Sequence, residues 1–290
     1  MRVKDIRGRA KSHGCGSVLS GKKWSSKIEK NIRINKLTSA TFLIPAKESE
    51  KEVCRYRSPE CTDGCIMYCG SPIHRPTKEK YRLARTNFLF NDRQGFMDML
   101  VLQTAKLVHD AEREEMEAAV RQNGTSDLTW ERMSVTVSEE LAALVFKQYR
   151  VVIHAGKHPN IMSVFPQVSY YDYTKWPNNR GKLPSNYELT FSVSDKRYGS
   201  RTSDSVAREI VEQGGKAAVV LNVPRGKPLP EFFNLDGLIV PLIDGDKHDY
   251  LPAHPPGSVI GLRAKGPMRG KTTEFSRRPD YTLQPALMAA

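Results

Sequence analysis

NDRQGFMDMLVLQTAKLVHDAEREEMEAAVRQNGTSD, residues 91 to 127, carries a helix, a strand and a polar strand end in one run. Asn91 or Asp92 is placed to cap the helix, and Phe96, Leu100, Leu107 and Ala111 recur at the spacing of one helical face. The period then changes. MEAAVRQNGTSD (116–127) reads as a strand that closes on Asn123, Gly124, Thr125, Ser126 and Asp127.

The same pattern repeats on either side. SEELAALVFKQY (138–149) is a helix with Ser138 as its candidate cap, and SDSVAREIVEQGG (203–215) is an amphipathic helix stopped by Gly214 and Gly215. TFLIPA (41–46) reads as the first core strand. QVSYYDYTK (167–175) ends in Asp172, Thr174 and Lys175, and YELTFSVSD (187–195) ends in Ser192, Ser194 and Asp195. KAAVVLNV (216–223), LIVPLIDGD (238–246) and SVIGLRAKG (258–266) supply three more strands, and VVIHAGKHPNIMSVFP (151–166) reads as an insertion. Strand and helix alternate, which implies a mostly parallel sheet. Polar residues gather at the C-terminal end of each strand, where the mouth of a (β/α) barrel binds its ligands. The expected fold is therefore a TIM-like (β/α) barrel, partial or complete. A doubly wound open sheet, which also binds ligands at strand C-termini, is the alternative.

Net charge is +13, and the excess is concentrated at the ends of the chain. Residues 1 to 36 hold eleven Lys or Arg against Asp5 and Glu29. A flexible basic N-terminal extension (1–38), a barrel-like domain (39–267) and a second basic tail (268–290) are expected. Such a charge favours nucleic acid or another polyanion as a partner through the tails, unless the tails serve only solubility. No stretch approaches the roughly 20 apolar residues that span a bilayer, so no membrane association is expected. No apolar segment follows the basic start, so no secretory signal is read and a cytoplasmic protein is expected.

CRYRSPECTDGCIMYCG (54–70) packs Cys54, Cys61, Cys65 and Cys69 with gaps of six, three and three residues. Disulfides belong to oxidising compartments and would leave Cys15 as an odd thiol, so metal is the better reading. An iron–sulfur cluster, of the 4Fe-4S type, suits close thiolates, and three ligands leave one iron open to a small molecule. Zinc is the alternative, although the close C-x2-C pair common in structural zinc sites is missing. If one thiol is spare, Cys69 is the candidate, since it continues past a compact set.

Other strand ends supply further candidates. Asp244, Asp246, His248 and Asp249 in IDGDKHD suit a divalent metal, acid–base work or a substrate contact, and an Asp- and Gly-rich turn is the plainer reading. Lys175, Arg263 and Lys265 are placed to meet a carboxylate or phosphate, and Asn222 ends another strand as a cofactor contact. His154 and His158, in the insertion, read as ordinary surface histidines.

The cysteine loop, NGTSDLTWE (123–131), YYDYTK (170–175), NYELTFSVSD (186–195), LIDGDKHDY (242–250) and VIGLRAKG (259–266) together resemble the phage- and plasmid-encoded gene product 88 proteins. These motifs span roughly residues 40 to 266. More distantly, a strand, a cysteine loop and a strand ending in a polar motif resemble the radical S-adenosylmethionine barrel enzymes. That resemblance implies an iron–sulfur cluster and bound S-adenosylmethionine. Thr125, Ser126 and Asp127 would contact its methionine part, and Ser192 and Ser194 its ribose. Ser126–Asp127 and Tyr173–Thr174–Lys175 parallel motifs of phage radical S-adenosylmethionine-like proteins, which makes Asp127, Tyr173 and Lys175 the catalytic candidates. The familiar cluster signature is C-x3-C-x2-C, whereas Cys61, Cys65 and Cys69 form C-x3-C-x3-C. Two functions follow: an enzyme acting on nucleic acid or an associated protein, or a non-catalytic zinc-stabilised nucleic-acid-binding protein.

Overall fold

The structure is a computed structural model that describes residues 2–21, 26–69, 72–177 and 181–284. Of the expected basic extensions, Met1, residues 22–25 and residues 285–290 lie outside the described residues. The fold is mixed α/β with mostly parallel strands, and it divides into two compact units. Each unit is built from several separate stretches of chain.

The first unit comprises Met1–Arg55, Ser71–Asp172 and Lys182–Glu188. It opens with α1 (Val3–Ser12), so part of the basic N-terminal segment is a helix with one apolar edge: Ile6 and Ala10 are buried. β1 is Lys36–Ala40. The apolar run 41–46, expected as this strand, lies just past it: Thr41 N–H still donates to the Arg121 carbonyl at 3.0 Å, and Leu43 and Ile44 bury beyond the strand end. Two helices follow, α2 (Arg75–Asn91) and α3 (Arg93–Arg113). α3 is apolar on most of its circumference, burying Phe96, Leu100, Val101, Ala105 and Val108, as a helix covered on several sides must be. It contacts α1 and α2 and returns the chain to β2 (Glu117–Arg121), which pairs in parallel with β1, Ala40 opposite Arg121. α4 (Glu139–Tyr149) starts on Ser138, whose hydroxyl accepts from Leu141 N–H at 3.1 Å. β3 (Ser169–Thr174) then pairs in parallel with β2, Val120 opposite Tyr170. Three parallel strands thus stand in sequence order. The segment read as an insertion pairs Gly156–His158 against Val135–Val137 as an antiparallel ribbon. His158 lies there and donates from Nε2 to the His154 carbonyl at 2.8 Å.

The second unit comprises Tyr56–Gly70, Tyr173–Gly181 and Leu189–Ala290. β4 (Tyr187–Ser192) enters it, and α5 (Ser203–Glu212), capped by Thr202, leads to β5 (Lys216–Leu221). β6 (Phe232–Leu235) and β7 (Leu238–Asp244) form a hairpin through Asp236–Gly237, both at positive φ (53° and 88°). That is the two-residue turn whose twist matches its strands. β8 (Val259–Arg263) inserts between β5 and β7, parallel to both, and β9 (Ser276–Arg277) pairs with the end of β5. β4 pairs in parallel with β5, so the C-terminal ends of β4, β5, β8 and β7 share one edge. Phe191, Val206, Val211, Ala217, Val219, Leu221 and Val259 form the core beneath that edge. Among the described residues no helix is long and apolar enough to cross a membrane.

Candidate functional site at the strand ends

Within the second unit the cysteine segment is fastened to the C-terminal edge of the parallel strands. Ser58 caps a short helix, Pro59–Asp63, accepting from Cys61 N–H at 3.1 Å. The same buried hydroxyl donates to the Asp195 carboxylate, and Glu60 N–H donates to Asp195 at 3.3 Å. Asp195 lies three residues past the end of β4. The Glu60 carboxylate in turn accepts from Phe275 N–H at 2.7 Å, one residue before β9. At the other end of the segment, Cys69 Sγ sits against Gly266, three residues past β8: a Cβ on Gly266 would lie 2.6 Å from the sulfur. Gly266 is also at φ +55°, where glycine is favoured.

Cys61, Cys65 and Cys69 are partly exposed and, like Cys15 and Cys54, carry no disulfide. Cys61 and Cys65 are one helical turn apart in sequence, and Cys65 and Cys69 bracket the 3-10 turn Ile66–Tyr68. Donor type and exposure therefore suit a thiolate-held metal or cluster, with Cys61, Cys65 and Cys69 as holders. Among the described residues, however, no three His, Cys, Asp or Glu side chains are gathered closely enough to hold a metal ion as they stand.

Lys175 and Ser192 are brought together. Lys175 is 9 % exposed, and its ammonium donates to the Ser192 hydroxyl at 3.0 Å and its carbonyl at 3.2 Å. It also stands 5.2 Å over the Phe275 ring. Tyr198 hydroxyl donates to the Lys175 carbonyl at 2.6 Å, and the Tyr56 ring packs at a tilt against Trp176 and Tyr198. Tyr173, on β3, is half-buried. Ser194 is 2 % exposed and its hydroxyl accepts from Lys196 N–H, so it serves a turn. Asn222 is tied by its amide to Thr272 at 3.0 Å and by its backbone to the Arg277 carbonyl.

Asp244, Asp246, Arg263 and Lys265 form one closed charge network. Arg263 reaches Asp244 at 3.0 Å and Asp246 at 3.1 Å, its remaining donors hold the Lys227 carbonyl, and Lys265 reaches Asp246 at 2.7 Å. Burial pushes the Asp246 carboxyl up, but Lys265 and Arg263 more than reverse this and hold it below the usual carboxylate range. These side chains answer each other's charge. His248 stacks on His254, ring centroids 4.7 Å apart. Burial lowers the His248 pKa, which keeps the ring neutral at pH 7.

The first unit holds the remaining candidates around Asn123. Its side-chain carbonyl accepts from Ser126 hydroxyl (2.8 Å), Leu128 N–H (2.9 Å) and Trp130 Nε1 (3.0 Å). Its backbone N–H donates to the buried Asp172 carboxylate at 2.6 Å, which Tyr187 hydroxyl also reaches at 2.9 Å. Thr125 hydroxyl donates to the Leu43 carbonyl at 2.5 Å, and Asp127 N–H to Val53 O at 2.7 Å. Cys54 Sγ lies 3.9 Å from the Thr125 carbonyl. Thr125, Ser126 and Asp127 are each less than a tenth exposed. Gly124 is required because a Cβ would fall 2.5 Å from the Phe42 ring.

Sequence reasoning missed Ser58, Asp195 and Gly266 as the fastenings of the cysteine segment. Only Asp195 had a signal, as the last residue of a strand motif.

The family model described as Gene product 88 matches residues 17–279. Neither the curated proteins nor the solved structures contain a match.

Proposed function

The chain belongs to the gene product 88 family, and from that premise we propose that its cysteine segment is the iron–sulfur site of a radical S-adenosylmethionine-like protein. One observation carries the reading. Cys61, Cys65 and Cys69 ride on a segment pinned, within one unit, to the C-terminal edge of parallel strands. Ligands of parallel α/β folds bind at that edge. The arrangement this implies is a partial (β/α) barrel, supported by the sequence order of the parallel strands β1, β2 and β3.

Cys61, Cys65 and Cys69 are the proposed ligands, with Cys54 the spare thiol in place of Cys69, because the three share one segment of one unit. Three thiolates leave one iron open to a small ligand. When bound, such a cluster would supply one-electron reduction to S-adenosylmethionine, and the protein's part would be to bind and orient. Ser192 and Asn222 offer polar strand-end contacts to that cofactor. Lys175, held by Ser192, presents a fixed positive charge to a carboxylate or phosphate. The substrate class we assign is nucleic acid or a protein bound to it, supported by the net charge of +13.

Purification without oxygen tests the site. The expected result is a coloured protein with broad visible absorbance and several irons per chain, lost in Cys61→Ser and Cys65→Ser. With S-adenosylmethionine and a reductant it should release 5′-deoxyadenosine. A colourless protein with one zinc per chain overturns this reading and favours a zinc-stabilised nucleic-acid-binding protein.

A further inference from the structure

A cleft of about 560 Å³ opens between α1 and α4, both in the first unit. Arg2, Arg7 and Lys147 line it, with Glu140 and Tyr149. Arg2 is answered by Asp5 at 3.2 Å. Arg7 and Lys147 have no carboxylate partner among the described residues. The Glu140 carboxyl does not serve them: its own backbone amide and the Ser138 hydroxyl hold it at the helix start, below its usual range. Two unanswered positive charges therefore border one cleft. Neither is held in an ion pair, so an anion seated in the cleft can pair with both.

The positive surface continues beyond the cleft. Lys4, Arg7 and Lys11 stand at i, i+3 and i+7 on α1, all exposed, so they form one stripe about 10 Å long. Lys11 likewise has no carboxylate partner among the described residues, and Lys4 lies beside the Asp5 carboxylate that Arg2 already holds. A cleft alone would suit a small anion, whereas a cleft continued by a stripe suits a chain of regularly spaced charges. We infer that α1 and α4 form a docking track for the phosphodiester backbone of nucleic acid, with Arg7 and Lys147 as the central phosphate contacts and Lys4 and Lys11 extending the track. This rests on the polyanion reading of the net charge and adds the surface that executes it. Recognition of this kind is independent of sequence and falls with salt.

Fluorescence anisotropy with a labelled oligothymidylate of roughly 20 nucleotides, longer than most single-domain sites, tests it across a salt series. The wild-type chain should bind, and Arg7→Gln with Lys147→Gln should weaken binding about tenfold or more. That double variant should also lower the slope of log affinity against log salt by about 1.4, from ~0.7 per lost phosphate contact on a single strand. Arg225→Gln with Lys227→Gln removes the same charge from an exposed loop elsewhere and should change binding little. Unchanged circular dichroism shows that each variant is folded. No wild-type binding at low salt overturns the polyanion reading itself. Wild-type binding that both double variants weaken equally, or that neither weakens, overturns only the track. Equal competition by polyglutamate of matching charge identifies an acidic protein and overturns the nucleic-acid assignment.

Discussion

At the scale of single residues, Asn123 decides the shape of the loop after β2. Its carbonyl oxygen serves three donors, one of them the indole of the fully buried Trp130. Asn123→Ala leaves that indole and the Leu128 amide unsatisfied, at a cost of roughly 2–4 kcal/mol. Urea unfolding should show the loss as a lower midpoint, and an unchanged midpoint would mean that water replaces the side chain. The sequence showed Asn123 and Gly124 in the polar end of a strand. It did not show that Asn123 would be the acceptor, because its partners come from Ser126, Leu128 and Trp130 through the loop's own curvature. Likewise IDGDKHD and RAK offered either ligand contacts or a plain charged turn, and Asp244, Asp246, Arg263 and Lys265 pair with each other. Single strands do not reveal that neighbouring strand ends carry matching charges.

Elements with strong punctuation were legible. α3 begins on Asp92, one of the two caps expected there with Asn91, its carboxylate accepting from Gly95 N–H at 3.0 Å, and α4 begins on Ser138. Asp92 also pairs with Arg9 of α1, so one carboxylate starts a helix and fastens a second helix to it. Asp92→Ala should cost about 2 kcal/mol, mostly the cap and less the partly exposed ion pair. Burial opposes ionisation of Asp92, but Arg9 and the Gly95 amide leave its folded pKa below 3.8. The stabilisation is therefore present above 3.8 and lost as pH falls through the folded value, so variant and wild type should converge in acid unfolding curves. A gap that persists there would assign the cost to packing. The helices α1 and α2 were not read. α1 buries only Ile6 and Ala10 among basic residues, and the His74 before α2 offers no side-chain cap. In both, tertiary packing rather than local pattern holds the helix.

Across the whole chain, the alternation of strands and helices was legible, and the division into two units was not. Each unit takes three separate stretches of chain, so no composition shift or linker marks a boundary. The thiols separate just as sharply. Cys54, Cys61, Cys65 and Cys69 are partly exposed, whereas Cys15 is 1 % exposed and burial pushes its thiol pKa up. A thiolate reacts only where it can ionise and be reached. In metal-free protein, iodoacetamide should label four cysteines quickly and Cys15 slowly, followed by mass spectrometry. Equal rates would mean that the N-terminal segment does not cover it. Because Cys15 reacts only when its surroundings open, the speed at which it gains mass times those openings. The fifth cysteine, outside the cluster of four, is thus a clock built into the first unit.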